Sequence, residues 1–192
     1  MKEIYLYPLG GISKFYMDLN IESYKEFFVL MGGPLFQQLA FWILIFLFPN
    51  KKDLIHYYHY HILVFNLLPI LPLDGGKISC LLLEQIFPYR FSKIIMIIIS
   101  YSFILFIFIK NLVISNCIAC LFLLVLVIEE TKKIPITYHY FLLERYLKHF
   151  SFQKRAIIHS ENHFWRDAYH IIEKDGNYYL EENYLKKKYD KS

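Results

Sequence analysis

Long apolar stretches, separated by short polar interruptions, fill most of the first two thirds of the chain. Four of them, residues 27–48, 57–73, 93–110 and 112–128, approach or exceed the roughly 20 residues that a helix needs to cross a bilayer. The last two are separated only by a short turn at Lys110-Asn111, which favours a tight antiparallel hairpin. The pattern predicts an all-α polytopic membrane protein with about four membrane segments.

The pattern changes at Glu129, where charged residues become frequent. Residues 129–192 carry twelve Lys or Arg and ten Asp or Glu, whereas only six charged side chains lie between Leu54 and Ile128. This shift predicts a membrane domain at 27–128 and a small α+β soluble tail at 129–192. Within the tail, residues 138–150 have helical spacing of apolar positions, and residues 171–179 predict a β-hairpin with Asp-Gly as a type I′ turn.

Composition and charge support a membrane protein and set its orientation. Hydrophobic residues make up 56% of the chain, above the roughly 45–50% of soluble domains, and the mean hydropathy is +0.33. The bias of Lys and Arg places both chain ends and the tail in the cytoplasm. Three cysteines in or beside apolar runs indicate no disulfide framework, and the first residues do not form a signal peptide. We expect a lipid bilayer as surroundings and no nucleic-acid partner.

The run from Asn66 to Gly76 places polar groups and helix breakers inside an apolar stretch. Pro69 and Pro72 prevent a regular helix, and irregular backbone at membrane depth occurs only where protein or a cavity surrounds it. Charged residues at that depth are costly and usually functional, so Asp74 suits metal ligation or proton handling. The structural alternative is that Asp74 caps the following helix. Asn66 either orients a ligand or substrate or makes a polar contact between helices.

This run resembles the second signature of the site-2 protease family, the zinc intramembrane metalloproteases. Its residues are most similar to those of the sporulation branch, which processes a sigma-factor precursor. Three further segments agree in order: Tyr7–Gly11 resembles the turn after the zinc helix, Met31–Leu35 resembles the opening of the next membrane helix, and Phe141–Tyr146 resembles the linker after the last span. The resemblance covers most of the chain.

The resemblance implies a zinc cofactor, a membrane-associated protein substrate such as a sigma-factor precursor, and hydrolysis by zinc-activated water. Asp74 would be a zinc ligand, and the side chains and backbone of Asn66, Pro69, Pro72 and Gly75 would shape the site or contact the substrate. In the resembled branch a nucleotide-sensing CBS-type module follows the last span. The tail at 129–192 has room for one such repeat, and a small α+β cap without a ligand is the alternative.

The family's other signature, H-E-x-x-H, is absent from the sequence. This motif supplies two zinc ligands and the general base, and no His here is followed by Glu. Residues 1–26 therefore correspond to the strand and turn region that follows the zinc helix, and we expect that helix to be encoded upstream of Met1. By this resemblance, the sequence contains one zinc ligand, Asp74, and no catalytic base. The alternatives are a pseudoprotease that binds or regulates a membrane substrate and, third, a metal-ion transporter using His56, His59 and Asp74.

Three other groups resemble metal sites but are interpreted as structural. His56 and His59 share a helical face, while His61 lies about 140° away, and the intervening tyrosines indicate a membrane interface. In the segment 159–163, two His are four residues apart, but the Glu between them lies about 200° from the first His and faces away. The Cys117–Cys120 pair lies in an apolar span, where thiols behave as small hydrophobic groups.

Overall fold

The protein is mostly helical, with a small sheet near its C-terminus. A computed structural model describes residues 3–7, 10–14, 19–110, 114–148, 150, 152, 154–174 and 176–190. The elements are, in order, β1 Glu3–Tyr7, β2 Gly10–Lys14, α1 Ser23–Leu47, α2 Lys52–Asn66, α3 Asp74–Ile86, α4 Tyr89–Lys110, α5 Ile114–Lys148, β3 Lys154–Ile158, β4 Ala168–Lys174, β5 Asn177–Leu180 and α6 Glu181–Tyr189. Short 3-10 turns lie at Pro49–Lys51 and Glu161–His163.

Two helices of the described residues, α1 and α4, are long and apolar enough to cross a membrane, with mean hydropathies of 1.7 and 2.4. The outer face of α1 carries large exposed side chains, including Phe36 at 73% and Phe46 at 85% exposure. Such a surface is suited to hydrocarbon because lipid chains cover apolar groups that water would not. The predicted count of about four segments stays a prediction.

Two of the predicted segments differ in form from a simple span. The segment 57–73 is helical only as far as Asn66, after which the chain becomes a loop that returns into α3. The segment 112–128 belongs to α5, which continues without a break to Lys148. The predicted domain boundary at 129 therefore lies inside one helix of 35 residues, about 52 Å long at 1.5 Å per residue. The boundary itself stays a prediction.

The first hydrophobic core lies between the loop before α3 and the helices α3, α4 and α5. Its fully buried members are Ile70 from the loop, Met96 from α4 and Val127 from α5, each at 0% exposure, together with Cys80 and Leu123. Because Ile70 is at the centre of this cluster, burial of apolar side chains holds the irregular loop against the helices.

The tail forms a second core around a three-stranded sheet of order β3-β4-β5. Strands β3 and β4 are parallel, and β4 and β5 are antiparallel with Ile171 opposite Leu180. The sheet packs on the last turns of α5 and on the start of α4 through Phe141, Phe164 and Tyr89. The tail is thus α+β, and its relation to a CBS-type repeat stays a prediction.

Both predicted local features of the tail are present. The hairpin at 171–179 is the β4–β5 pair, and Gly176 has φ of +75°, as its turn requires. Asp175 lies outside the described residues. The helix predicted at 138–150 is the end of α5, which stops at Lys148.

The N-terminal strand and turn region forms a two-stranded antiparallel hairpin, β1 with β2, in which Tyr7 lies opposite Gly10. Two residues of the predicted family turn, Pro8 and Leu9, lie outside the described residues.

Candidate functional site

The loop from Leu67 to Leu73 turns the chain from α2 into α3 and delivers Asp74 to the first position of α3. Pro69 has no N–H to continue α2, and residues before proline disfavour helical backbone, so α2 ends at Asn66. Short local bonds replace the helical ones: the Ile70 N–H donates to Leu68 O at 2.8 Å. The peptide bond between Leu71 and Pro72 is cis.

Ser100 of α4 anchors this loop from the neighbouring helix. Its hydroxyl donates to Met96 O at 2.8 Å and accepts the backbone N–H of Leu71 at 3.0 Å. Ser100 is 0% exposed, so the bond lies where water cannot replace it. Ser100 and Ser102 both bond back to carbonyl oxygens of their own helix, as hydroxyl groups inside helices commonly do. The additional bond from Ser100 to the loop is a feature that the sequence pattern does not reveal.

Two glycines let the loop fold directly onto the first turn of α3. A Cβ added to Gly75 would lie 2.2 Å from Leu67 O, and one added to Gly76 would lie 2.4 Å from Ile70 O. Both obstacles are backbone atoms, so no side-chain rotation could relieve the clash. Gly75, predicted to shape the site, is therefore required by the close approach of the two chain segments.

Asp74 begins α3 but does not cap it. The N-cap residue is Leu73, and no side chain caps the helix. The carboxylate lies against α1, since a Cβ added to Gly33 would be 2.7 Å from Asp74 Oδ2. Asp74 is half-buried, and no described residue donates a hydrogen bond to its carboxylate or pairs with it as an ion. The result is an unpaired carboxylate held between two helices, which is a geometry suited to binding a cation or proton.

Asn66 lies at the end of α2, half-buried, seven residues before the loop closes at Leu73. The histidines of α2 have other contacts. The rings of His56 and His59 pack on Phe41 of α1 with centroids 4.7 and 4.1 Å away, and His61 Nδ1 lies 2.7 Å from Tyr57 O.

The segment 159–163 also has structural contacts. His159 pairs with Glu173 at 3.2 Å, and Glu161 contacts Tyr184 and Lys188 of α6. Within the described ranges, no three His, Cys, Asp or Glu side chains come together as a metal site. The three cysteines are free thiols.

A buried charged cluster joins α1, α3 and α4 to the tail. Glu84 of α3 is 3% exposed and receives Arg166 Nη1 at 2.7 Å and Lys93 Nζ at 2.9 Å. Arg166, from the segment before β4, also contacts Glu26 of α1 and donates to Ile21 O at 3.0 Å. Burial alone would raise the pKa of Glu84, but the two adjacent cations outweigh it and hold the pKa below its ordinary value. Neither ion pair of Arg166 is evident from the sequence pattern, since the paired residues are far apart along the chain.

Arg145 forms a second buried cluster inside the tail. Its guanidinium donates to Glu181 Oε1 at 2.9 Å, to Asn20 Oδ1 at 2.7 Å and to the carbonyl oxygens of Trp165, Arg166 and Ala168. It lies in the segment that resembles the family linker. The sequence signal for its role is a charged residue four positions after buried Phe141, on the apolar face of the helix.

His170 completes the second cluster as a neutral imidazole. Its Nε2 accepts the Trp165 N–H at 2.9 Å, so the proton is on Nδ1, which faces Glu181 Oε2 at 2.9 Å. Burial, together with the adjacent Arg145 guanidinium, lowers the pKa of His170 against the opposing effect of the Glu181 carboxylate. Protonation of His170 Nε2 would have to break the hydrogen bond from the Trp165 N–H in a buried position.

Comparison with known proteins gives one informative similarity. No family model matches the sequence. The chain is 33% identical over 157 residues to stage IV sporulation protein FB of Bacillus subtilis (strain 168), an alignment that covers 76% of this chain and 54% of that protein. The chain thus spans about half the length of this curated relative. The similarity supports the family resemblance that the motifs indicate.

Proposed function

We propose that this chain is part of an intramembrane zinc metalloendopeptidase of the site-2 protease family, in its sporulation branch. The observation that carries the proposal is Asp74, an unpaired carboxylate fixed between α1 and α3 by a glycine-dependent loop. The similarity to a sporulation protein supports the same branch. The substrate would be a membrane-associated protein, for which a sigma-factor precursor is the family example.

The described residues do not by themselves form a zinc site. A catalytic zinc needs three protein ligands and an open position, and Asp74 belongs to no group of three His, Cys, Asp or Glu side chains in the described part of the chain. We therefore propose that two His ligands and the Glu base come from an H-E-x-x-H helix outside this sequence. In this assignment Asp74 contributes one ligand, Asn66 faces the substrate, and Pro69, Pro72 and Gly75 hold the loop.

The proposed membrane arrangement is multi-pass with a cytoplasmic tail. Helices α1 and α4 provide two spans, and the apolar first half of α5 and the α2 region provide the others. The buried Glu84–Arg166 pair ties the tail to the base of α3 and α1. Asp74 would lie about 15 Å along α3 from that junction, because ten residues of helix separate it from Glu84.

The test uses a longer form of the protein that carries H-E-x-x-H before Met1. We expect Asp74→Asn to abolish cleavage and to reduce bound zinc from one per chain to substoichiometric, because the amide keeps the shape but loses the charge. Metal content by mass spectrometry and cleavage of a membrane-anchored substrate are the measurements. Normal cleavage by Asp74→Asn would refute the ligand assignment.

Two further sets of variants test the assignment of Asp74. Gly33→Ala should weaken zinc binding, since the new methyl group occupies the space of Asp74 Oδ2, whereas Gly32→Ala has open space and should leave it unchanged. Replacing His56, His59 and His61 together by Gln should leave cleavage largely intact, because their rings contact α1 and the α2 backbone. Loss of activity equal to that of Asp74→Asn would place the His cluster in the site.

A pseudoprotease is the second candidate, favoured by the absence of a three-ligand group in the described residues. It would bind a membrane substrate through the Asn66 region without cutting it. The upstream coding sequence separates the two: an in-frame H-E-x-x-H helix supports the protease, and a broken frame in a cell that makes this protein supports the pseudoprotease.

A further inference from the structure

Strand β3 presents a free edge at the junction between the tail and the membrane helices. In the sheet order β3-β4-β5, one side of β3 pairs with β4, and no described strand pairs with the other side. The backbone N–H and C=O groups on that side are a template for another strand. Ile157 is 60% exposed on the outer face of β3, which leaves apolar surface beside the free edge.

A cavity of about 410 Å³ lies beside the first residues of β3, between them, the start of β4 and the end of α3. Glu84, Gln85, Lys154, Arg155, Trp165 and Asp167 are among the residues that line it. Lys154 and Ala156 lie on the same face of the strand as buried Ile158, because side chains alternate along a strand. A strand added to β3 would direct every second side chain toward the face of the sheet that carries Ala156, which lines the cavity.

Two cations and one carboxylate oxygen at the cavity have no partner within the described ranges. Lys154 and Arg155 are exposed, and neither forms an ion pair with a described residue. Asp167 Oδ2 accepts a hydrogen bond from the Ser23 hydroxyl, but Asp167 Oδ1 is buried without a hydrogen-bond partner. Buried polar atoms are almost always bonded in folded proteins, so an orphaned oxygen facing a cavity indicates a missing donor.

We propose that the free edge of β3 binds an extended polypeptide segment by strand addition. One side chain of that segment, a hydroxyl, amide or ammonium group, enters the cavity and donates to Asp167, and a carboxylate at the rim pairs with Lys154 and Arg155. This mode combines backbone bonds for affinity with a pocket for alternate side chains. A lipid phosphate would satisfy the two cations but neither the strand edge nor the Asp167 oxygen.

The identification of this segment as part of the cleaved substrate rests on the proposed function. The cavity reaches Glu84, and Asp74 lies about 15 Å along the same helix. An extended chain advances about 3.3 Å per residue, so about five residues connect the two places. A substrate held on β3 would thus place a peptide bond near Asp74 a few residues away from its docking segment.

The experiment measures peptide binding to the full 192-residue chain in detergent micelles by fluorescence anisotropy. The probe is a labelled seven-residue peptide of alternating Val and Thr with Glu at both ends. We expect saturable binding, and at least about tenfold weaker binding when alternate backbone amides of the peptide are N-methylated, because methylation removes the donors to the β3 edge. Equal binding of the methylated peptide would overturn the proposal.

Charge reversal provides the second arm. Lys154→Glu with Arg155→Glu should weaken binding about tenfold, and replacing the terminal Glu residues of the peptide by Lys should restore it. Lys186→Glu with Lys187→Glu, an equal reversal on the exposed face of α6, is the matched control and should have no effect. Circular dichroism of the variants checks that the exposed substitutions leave the fold intact.

Unchanged peptide binding by the β3 variant would overturn the proposal, and accompanying loss of binding to phosphatidylglycerol nanodiscs would assign the two cations to lipid headgroups. Because no zinc and no cleavage are involved, this assay and the Asp74 test fail independently. If the peptide binds but the longer form shows no proteolysis, strand addition to β3 is supported and only the proposed protease activity is refuted.

Discussion

At the scale of single residues, Ser100 and Asp74 show how far chemistry at one position depends on its neighbours. Both are polar groups in apolar surroundings, and both are recognisable in the sequence for that reason. The sequence also identifies Gly75 and the two prolines as parts of a broken segment. It does not reveal that Ser100 holds Leu71 or that Gly33 faces Asp74, because these contacts join residues 29 and 41 positions apart.

Ser100→Ala is expected to destabilise the protein by about 1–3 kcal/mol, because it leaves the buried Leu71 N–H without an acceptor. Ser102→Ala is the matched control: its hydroxyl is exposed and bonds only Ile98 O of its own helix, so its removal should change the stability by less than about 0.5 kcal/mol. Reversible unfolding in detergent micelles provides the comparison. Equal effects of the two substitutions would show that the loop does not depend on this bond.

At the scale of elements, the apolar pattern predicts where helices occur better than where they end. Helix α4 follows its apolar run, and the tail hairpin follows its Asp-Gly signal. Helix α5 does not stop where charges begin at Glu129, because Lys and Glu are good helix formers and the apolar face resumes at Tyr138. Hydropathy reports the surroundings of a helix, whereas capping and packing set its ends.

The Arg145 cluster makes the stability of the tail depend on pH. His170 has a lowered pKa in the folded chain, so the unfolded chain takes up the proton first as the pH falls. The stability from neutral His170 is complete above the unfolded pKa of about 6.5 and is lost progressively below it, at no more than about 1.4 kcal/mol per pH unit. Acidification should therefore lower the free energy of unfolding.

His170→Gln should flatten this dependence between about pH 7 and about pH 5.5, since the amide accepts from Trp165 and donates to Glu181 without titrating there. His139→Gln, at an exposed position on α5, should leave the dependence as in the unmodified chain. Chemical unfolding at several pH values gives the slopes. A slope unaffected by His170→Gln would mean that the proton is taken up elsewhere.

At the scale of the whole molecule, one buried guanidinium connects the two cores. Arg166 reaches Glu84 on α3 and Glu26 on α1 from the segment that precedes β4. Helices α1 and α3 and the tail thus share charged groups that neither part could bury alone, because an unpaired charge in such a position is strongly unfavourable. This junction also forms one wall of the cavity beside β3.

Arg166→Met is expected to cost about 3–5 kcal/mol, because the buried Glu84 carboxylate would keep Lys93 as its one cationic partner among the described residues. The exposed pair of Lys133 with Glu130 is the control, and Lys133→Met should cost less than about 1 kcal/mol. Adding Glu84→Gln to Arg166→Met should recover part of the loss, since it removes the buried negative charge that has lost one of its two cations. Unfolding midpoints and protease sensitivity of the tail are the readouts, and similar costs for both single variants would contradict a structural role of this junction.

The sequence by itself determined the apolar segments, the broken motif around Asp74, the charged α+β tail and the absence of H-E-x-x-H. Each of these features depends only on the pattern or spacing of residues that are close together in the sequence. The tertiary structure alone decided which groups meet: Asp74 with α1, Leu71 with Ser100, Arg166 with Glu84, and β3 with an open cavity. These contacts depend on how the helices and the sheet pack together, and packing brings together residues whose spacing along the chain carries no signal.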